Sequence, residues 1–296
     1  MNKKRLEGIL LALISAVAFG TYPILARFTL GCGVTTWTIL FLRFFCCAGV
    51  LWLCCLAKGK MKGLTAKTAL GLLGIGMVAY AAMSALNLAA ITRISTSLAS
   101  LLLCAYPVFV ALFSVLLGRE KPSWLLAISL AVCVVGLWLV IDVHSVNVDL
   151  PGLAMAVGAS ISYAVYVLGG SMLGGKADPI LRATLIMSGA CLAYMACGAA
   201  MGEIRFAFEP IGWAWLAGMV ILTTVVPVTL FWLAIDQIGA VDASILGIVE
   251  PISTVILSVW VLGEQLRGGQ ILGIAIALSG ILLIQLPQLR GEKTEG

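Results

Sequence analysis

The second half of this 296-residue chain repeats the first half at a constant offset of 144 residues. The repeat is clearest between residues 96–120 and 240–264, where Ala-Ser precedes an apolar run. Each run contains one proline, Pro107 or Pro251, and reaches a glutamate thirteen residues later. The same offset also pairs Gly8 with Gly152, Tyr22 with Tyr166, Gly74 with Gly218, Ala90 with Ala234, Ile94 with Ile238, Ser114 with Ser258 and Gly136 with Gly280. Such a duplication means that any fold of this chain contains one folding unit twice.

The amino-acid composition places the chain in a membrane. Hydrophobic residues make up 62% of it and charged residues 10%, whereas about a quarter of the residues in soluble domains are charged. A helix crosses a bilayer core of about 30 Å with roughly 20 apolar residues, and backbone groups in lipid need internal hydrogen bonds. The long apolar runs are therefore predicted to be transmembrane helices of an all-α integral membrane protein.

Ten apolar runs are long enough for such helices, five in each half. They cover residues 8–26, 28–57, 68–92, 94–118, 122–141, 150–175, 183–202, 210–235, 243–263 and 268–289, numbered here as spans 1 to 10. Because five is odd, the second half enters the membrane from the opposite face, so the two five-helix repeats are predicted to be inverted. Inverted repeats give many secondary transporters two related states that open to opposite sides of the membrane.

The positions of lysine and arginine predict the orientation of the spans, because cytoplasmic loops collect these residues. Thirteen of them fall on the side of the N-terminus, and four, Arg27, Arg93, Arg205 and Arg267, fall on the other side. Both termini are therefore predicted to be cytoplasmic. The net charge of +5 is explained by these loops, so nothing supports a nucleic acid as a partner.

Cysteine and histidine give no indication of a metal centre or a catalytic site. All nine cysteines lie inside predicted spans, and one of them, Cys32, lies close to the start of span 2. In a span, cysteine serves as a small apolar packing residue. The single histidine, His144, lies in a loop, and no motif for metal hydrolysis, acyl transfer or nucleotide binding occurs. We therefore predict that the protein is not an enzyme and needs no cofactor or metal. A membrane-embedded enzyme and a lipid-moving or structural subunit are the alternatives to a transporter.

Several spans carry aromatic or polar residues along one helical face. Spans 1 and 6 have aromatic residues at equivalent places, and span 3 has a polar stripe that lipid would disfavour, with its counterpart in span 8. The candidate substrate-binding residues on these faces are Phe19, Tyr22, Tyr80, Ser84, Asn87, Tyr163, Tyr166, Thr224 and Phe231, together with Tyr106 in the repeated stretch. The alternative interpretation is that the aromatic rings fill gaps between helices.

Two charges lie about ten residues inside their spans, Arg43 in span 2 and Glu250 in span 9. A charge at this depth costs about 2.5–3.5 kcal/mol on insertion scales, so it normally faces the bundle interior and has a partner. One interpretation is a structural ion pair between the repeats. The other is that one or both residues bind the polar ends of the substrate or carry a coupling proton. Glu120 and Glu264, at span ends, are predicted to be helix caps or hinge contacts.

In these features the chain resembles the drug/metabolite transporter superfamily, in its ten-helix form with two EamA domains. The resemblance rests on Arg43-Phe44, on the Ala-Ser that opens spans 4 and 9, on Glu250-Pro251 and on Gly263-Glu264. It covers nearly the whole chain, with one five-helix repeat at 6–142 and the other at 150–286.

Two positions depart from the pattern of that superfamily. The first repeat reads Gly118-Arg119-Glu120 where Gly-Glu is usual, and Met187 occupies the position that matches Arg43. The resemblance implies a multi-pass permease of the bacterial inner membrane, often an exporter. We therefore predict a secondary transporter that exports small organic metabolites such as amino acids by alternating access. Protons are the predicted coupling ion, through Glu250.

Overall fold

The computed structural model describes residues 3–57, 59, 64–118, 149–174, 177–247 and 249–289, together with scattered positions between 124 and 139. Within these residues, seven helical stretches are long and apolar enough to cross a membrane, and two shorter apolar helices follow at Val249–Leu262 and Gly268–Gly280. These nine stretches correspond to nine of the ten predicted spans. Span 5, at 122–141, lies mostly outside the described residues. The predicted all-α membrane fold is confirmed.

The helices of the first repeat are α1 (Lys3–Gly20), α2 (Tyr22–Gly31), α3 (Thr36–Ala57), α4 (Ala66–Ile75), α5 (Ala81–Ile91), α6 (Thr96–Leu103) and α7 (Tyr106–Leu116). A five-residue π-helical segment, Gly76–Tyr80, joins α4 to α5. The helix that contains span 4 breaks at Cys104 and Ala105, directly before Tyr106-Pro107. Proline lacks an N–H and favours the first turn of a helix, so the break falls where α7 begins.

The helices of the second repeat are α8 (Leu150–Gly174), α9 (Pro179–Ala200), α10 (Pro210–Val220), α11 (Val226–Leu246), α12 (Val249–Leu262) and α13 (Gly268–Leu289). Another π-helical segment, Ile221–Val225, joins α10 to α11. Side-chain caps fix several helix starts. Asp178 accepts from the backbone N–H of Ile180 at the start of α9, as N-cap residues do.

The predicted boundaries between spans 1 and 2 and between spans 8 and 9 are wrong. Span 1 was expected to end before Arg27, but α2 continues to Gly31. The Arg27 guanidinium is accommodated there because it donates to the carbonyl oxygens of Ile91, at 3.2 Å, and Ile94, at 3.0 Å. The connection predicted at 236–242, between spans 8 and 9, lies inside α11.

Three helix pairs make the most extensive contacts between the repeats. α1 packs on α11, α5 packs on α8, and α3 packs on α9. In the other repeat, α8 is equivalent to α1, α11 to α5 and α9 to α3. Exchanging the repeats therefore converts the first pair into the second and leaves the third unchanged, as a two-fold axis does. With five spans in each repeat, that axis lies in the membrane plane, as in other inverted-repeat transporters.

Small residues allow the closest helix crossing, between the π-helical segment of span 3 and α9. A Cβ atom at Gly76 would collide with the backbone carbonyl of Ile186, and one at Gly189 would collide with that of Leu73. The two backbones therefore touch, which is how membrane helices use glycine.

Gly76→Ala is expected to destabilise the protein by about 1–3 kcal/mol, because backbone atoms cannot move aside as a side chain can. Gly74→Ala is the matched control, since nothing lies within 4 Å of a Cβ atom there. Thermal unfolding in detergent compares the two variants. Equal melting temperatures for both would show that the crossing is not in backbone contact.

Candidate functional site

The two π-helical segments lie at matching places in the repeats. The 144-residue offset relates the first segment, Gly76–Tyr80, to the second, Ile221–Val225, to within one position. Under this offset Tyr80 corresponds to Thr224. π-Helical turns occur frequently at functional sites, because the inserted residue interrupts the regular hydrogen-bond ladder and redirects side chains. Both segments contribute a residue to the interior cluster described below.

Arg43 is the buried charge at the centre of this cluster. It projects from α3, is 6% exposed, and donates from Nε to the Thr224 hydroxyl at 2.7 Å. Its Cζ atom lies 4.3 Å from the centre of the Tyr22 ring and 5.3 Å from that of Phe44. Cation–π contacts of this kind stabilise a desolvated guanidinium. Residues from α2, α3 and the second π-helical segment thus hold the side chain in one orientation.

The corresponding corner of the other repeat has an apolar side chain in place of Arg43. Met187, the counterpart of Arg43, is buried in α9 at 2% exposure. Tyr166 and Tyr80, the counterparts of Tyr22 and Thr224, lie together with ring centres 4.7 Å apart. The fold therefore repeats the backbone of the site, while the side chains make one corner cationic and the other aromatic.

A chain of aromatic rings connects the two corners. Ring centres are 4.2 Å apart for Tyr106 and Tyr163, 5.5 Å for Tyr163 and Tyr166, and 5.5 Å for Phe44 and Tyr80. With the Tyr80–Tyr166 contact, these rings run without interruption from α7 to α3. Four of the predicted tyrosines are thus neighbours, as their faces suggested.

Sequence reasoning missed two aromatic members of this chain. The Tyr194 ring stacks on Phe44 at 5.5 Å, and its hydroxyl donates to the carbonyl of Ala81. Phe44 follows Arg43 directly, and Tyr194 lies seven residues after Met187 on α9. That spacing places Tyr194 on the face of α9 that carries Met187. The spacing could therefore have identified Tyr194 as a candidate residue from the sequence.

Two buried polar atoms of the candidate residues have no hydrogen-bond partner in the described part of the chain. They are the Tyr22 hydroxyl and Asn87 Oδ1, on residues that are 7% and 5% exposed. A buried polar atom without a partner costs about 1–3 kcal/mol, so such atoms usually serve a ligand or an ordered water.

Glu250 is the second interior charge, in the first turn of α12. It is half-buried, and Arg43 acts on it electrostatically. Among the described residues, however, no ion pair joins Arg43 to Glu250, unlike Arg93 with Asp149 and Arg205 with Glu203. In this conformation Arg43 and Glu250 therefore interact without direct contact.

The backbone around Glu250 is fixed against α1. The Thr254 hydroxyl donates to the carbonyl oxygen of Gly20 at 3.0 Å, and a Cβ atom at Gly20 would lie 2.8 Å from the Glu250 carbonyl oxygen. The carboxylate itself acts electrostatically on Tyr106 and Tyr163. Glu250 thus lies within electrostatic range of Tyr106 and Tyr163 as well as of Arg43.

The other predicted residues occupy different surroundings. Ser84 is buried on α5, with its hydroxyl 4.0 Å from the Met83 sulfur, and Phe19 packs at the edge of the main core. Phe231 packs in a separate small cluster with Ala12 and Ala234. Phe231 thus packs beside α1, in a cluster separate from the main core. The described residues contain no group of side chains able to hold a metal ion.

Comparison with known proteins places this geometry among transporters. The model of the EamA-like transporter family matches residues 6–142 and again 150–286. An uncharacterized transporter of Archaeoglobus fulgidus is 29% identical over 91% of this chain and 93% of its own length. The threonine/homoserine exporter RhtA of Salmonella typhimurium is 30% identical over 62% of each chain.

A solved crystal structure shares the fold. It covers 97% of this chain and 99% of its own chain with a TM-score of 0.64, at 17% sequence identity. At that identity the likeness concerns the path of the backbone alone.

Proposed function

The chain belongs to the EamA-like transporter family, and we propose that it is a secondary exporter of small zwitterionic metabolites such as amino acids. The observation that carries this proposal is the pair of interior charges, Arg43 and Glu250, which come from different repeats and are not in direct contact. Family membership makes the protein a membrane transporter. The substrate, the direction of transport and the coupling ion are the proposed parts, as is the cytoplasmic location of both termini.

The chemistry of the cluster fits a substrate with one carboxylate and one ammonium group. The η nitrogens of Arg43 offer a planar fork of donors, which suits a carboxylate. Glu250 offers an acceptor for the ammonium group, and the rings of Tyr106 and Tyr163 offer an apolar surface for the body of the substrate. The name of the RhtA relatives supports a substrate of the size of threonine or homoserine.

Alternating access is the proposed transport mechanism. Its support is the two-fold pairing of helices between the repeats, together with π-helical segments at matching places in both. Such segments are weak points of a helix, where the hydrogen-bond ladder is already interrupted. Bending there would let each repeat adopt the conformation of the other and so expose Arg43 and Glu250 to the opposite side.

The test is transport by purified protein in liposomes, with substrates that differ by one charged group. L-Threonine and L-homoserine are expected to be transported, whereas threoninol, which lacks the carboxylate, is expected to be transported at least about 10-fold more slowly. That factor corresponds to the loss of one charge-assisted hydrogen bond. Protein-free liposomes give the background rate.

Two results of the same assay would contradict the proposal. Equal rates for L-threonine and threoninol would show that Arg43 does not bind a carboxylate. Movement of labelled phospholipid between leaflets, or chemical conversion of the amino acid, would instead favour a lipid-moving protein or an enzyme.

A further inference from the structure

Glu264, directly after α12, holds the first turn of α6 with both of its carboxylate oxygens. Oε1 accepts from the backbone N–H of Thr96 at 2.8 Å and from its hydroxyl at 2.6 Å. Oε2 accepts from the Ser97 hydroxyl at 2.7 Å and, at 3.4 Å, from the Ser97 backbone N–H. The Thr96 hydroxyl also lies 2.5 Å from that of Ser258. We call these four residues the Glu264 clamp.

The Glu264 clamp links the two repeats at one end of the bundle. Thr96 and Ser97 belong to the first repeat, whereas Glu264 and Ser258 belong to the second. This end carries Arg93 and Arg267, two of the four basic residues that the charge distribution predicts to be external. The clamp therefore closes the bundle between α6 and α12 on the predicted external side.

The repeat also defines the residues that would form the matching contact at the other end. The offset of 144 pairs Glu264 with Glu120, and Thr96 and Ser97 with Ala240 and Val241. Alanine and valine have no hydroxyl. A clamp at the predicted cytoplasmic end would therefore lack both of the short hydroxyl bonds that Glu264 accepts.

The repeats also hold this matching segment in two different backbone conformations. Residues 92–95 interrupt the helix between α5 and α6, so the first N–H groups of α6 are free to bind Glu264. The corresponding residues 236–239 lie inside α11, which continues to Leu246. The N–H groups of Ala240 and Val241 thus lie within a helix, away from any helix start.

We propose that the Glu264 clamp is the latch that keeps the external end closed, and that its two hydroxyls make this the favoured resting state. The inference rests on the alternating-access part of the proposed function and is independent of the substrate. Opening the external end breaks the clamp and leaves the first N–H groups of α6 without their Glu264 acceptor, while 236–239 unwind and a new helix start forms at residue 240. Thr96 and Ser97 are thus predicted to set the balance between the two states.

Hydrogen exchange measured by mass spectrometry on the full-length protein in lipid nanodiscs tests this proposal. In Thr96→Val/Ser97→Ala, we expect the amides of 96–98 to exchange about 10-fold faster, because bonds from hydroxyls to a charged group are lost. We also expect faster exchange at 236–246, at the opposite end of the bundle. Glu264→Gln keeps the shape of the side chain and weakens all four hydrogen bonds, so it should show the same two changes.

Ser95→Ala is the control, because Ser95 caps the same helix by accepting from the N–H of Leu98 without contacting Glu264. Its effect is expected at 96–98 alone. Ala240→Thr/Val241→Ser adds the missing hydroxyls at the predicted cytoplasmic end. This variant should speed hydrogen exchange at both 96–98 and 236–246, as Thr96→Val/Ser97→Ala does.

Two results would overturn the proposal. Faster exchange at 96–98 without any change at 236–246 would make the clamp a local helix cap. Unchanged exchange at 96–98 in both clamp variants would show that the clamp does not hold α6. Since no substrate is added, either result is separate from a failure of amino-acid transport in liposomes.

Discussion

Arg43→Met is expected to lower the rate of L-threonine transport at low substrate concentration by at least about 100-fold. The reason is the loss of two charge-assisted hydrogen bonds to the substrate carboxylate, each contributing about 1.5–3 kcal/mol. Methionine is the natural residue at the matching position, Met187, so the variant makes the two corners of the site alike. The fold should tolerate it, because no ion-pair partner of Arg43 is left unpaired among the described residues.

Met187→Leu is the matched control for this prediction, since it changes a side chain at the equivalent depth without changing charge. Its transport rate is expected to remain within a few-fold of the wild-type rate. Arg43→Lys should lie between the two, because lysine keeps the charge but cannot bind a carboxylate with a planar fork or replace the Nε bond to Thr224. Wild-type rates in Arg43→Met protein would remove Arg43 from the site.

Glu250→Gln is expected to abolish accumulation of substrate driven by a pH gradient while preserving exchange of substrate across the membrane. Glutamine has nearly the same shape as glutamate, so it can still accept a hydrogen bond from the substrate, but it cannot release a proton. The chain contains no nucleotide-binding motif, so an ion gradient is the expected energy source. Proteoliposomes with an imposed pH difference measure accumulation, and equal pH on both sides measures exchange.

Glu209→Gln serves as the control here, because Glu209 is an exposed carboxylate at the start of α10. It is expected to accumulate substrate as the wild type does. If Glu250→Gln protein still accumulates substrate against its gradient, the coupling proton is carried elsewhere and Glu250 only binds substrate or supports the structure.

Much of the fold could be predicted because its determinants are local or repeated. Apolar runs of about 20 residues indicate membrane helices by length alone, and the 144-residue offset indicates that the helices occur as two equivalent sets. The same offset correctly grouped Tyr22 with Tyr166, which occupy equivalent corners of the site. The break before Tyr106-Pro107, inside predicted span 4, was not predicted, although proline begins a helix more readily than it continues one.

The remaining features depend on contacts between residues far apart in the chain. Arg43 and Thr224 are 181 positions apart, and no spacing rule connects them. The π-helical segments have no local signal that distinguishes them from α-helix. Arg27 looked like a loop residue because it is charged, but the carbonyls of Ile91 and Ile94 satisfy its guanidinium within a longer helix. Phe231 shares a face with Thr224, yet the packing of α1 on α11 directs it into another cluster.

Arg43 and Glu250 are proposed to bind opposite ends of a small transported molecule. A structure of the full-length protein in a lipid nanodisc with bound L-threonine tests it most directly. The predicted result is a ligand whose carboxylate is within hydrogen-bond distance of the Arg43 η nitrogens and whose ammonium group faces Glu250, beside Tyr106 and Tyr163. A ligand that contacts neither charge, or a direct Arg43–Glu250 ion pair with no ligand at this site, would contradict the claim.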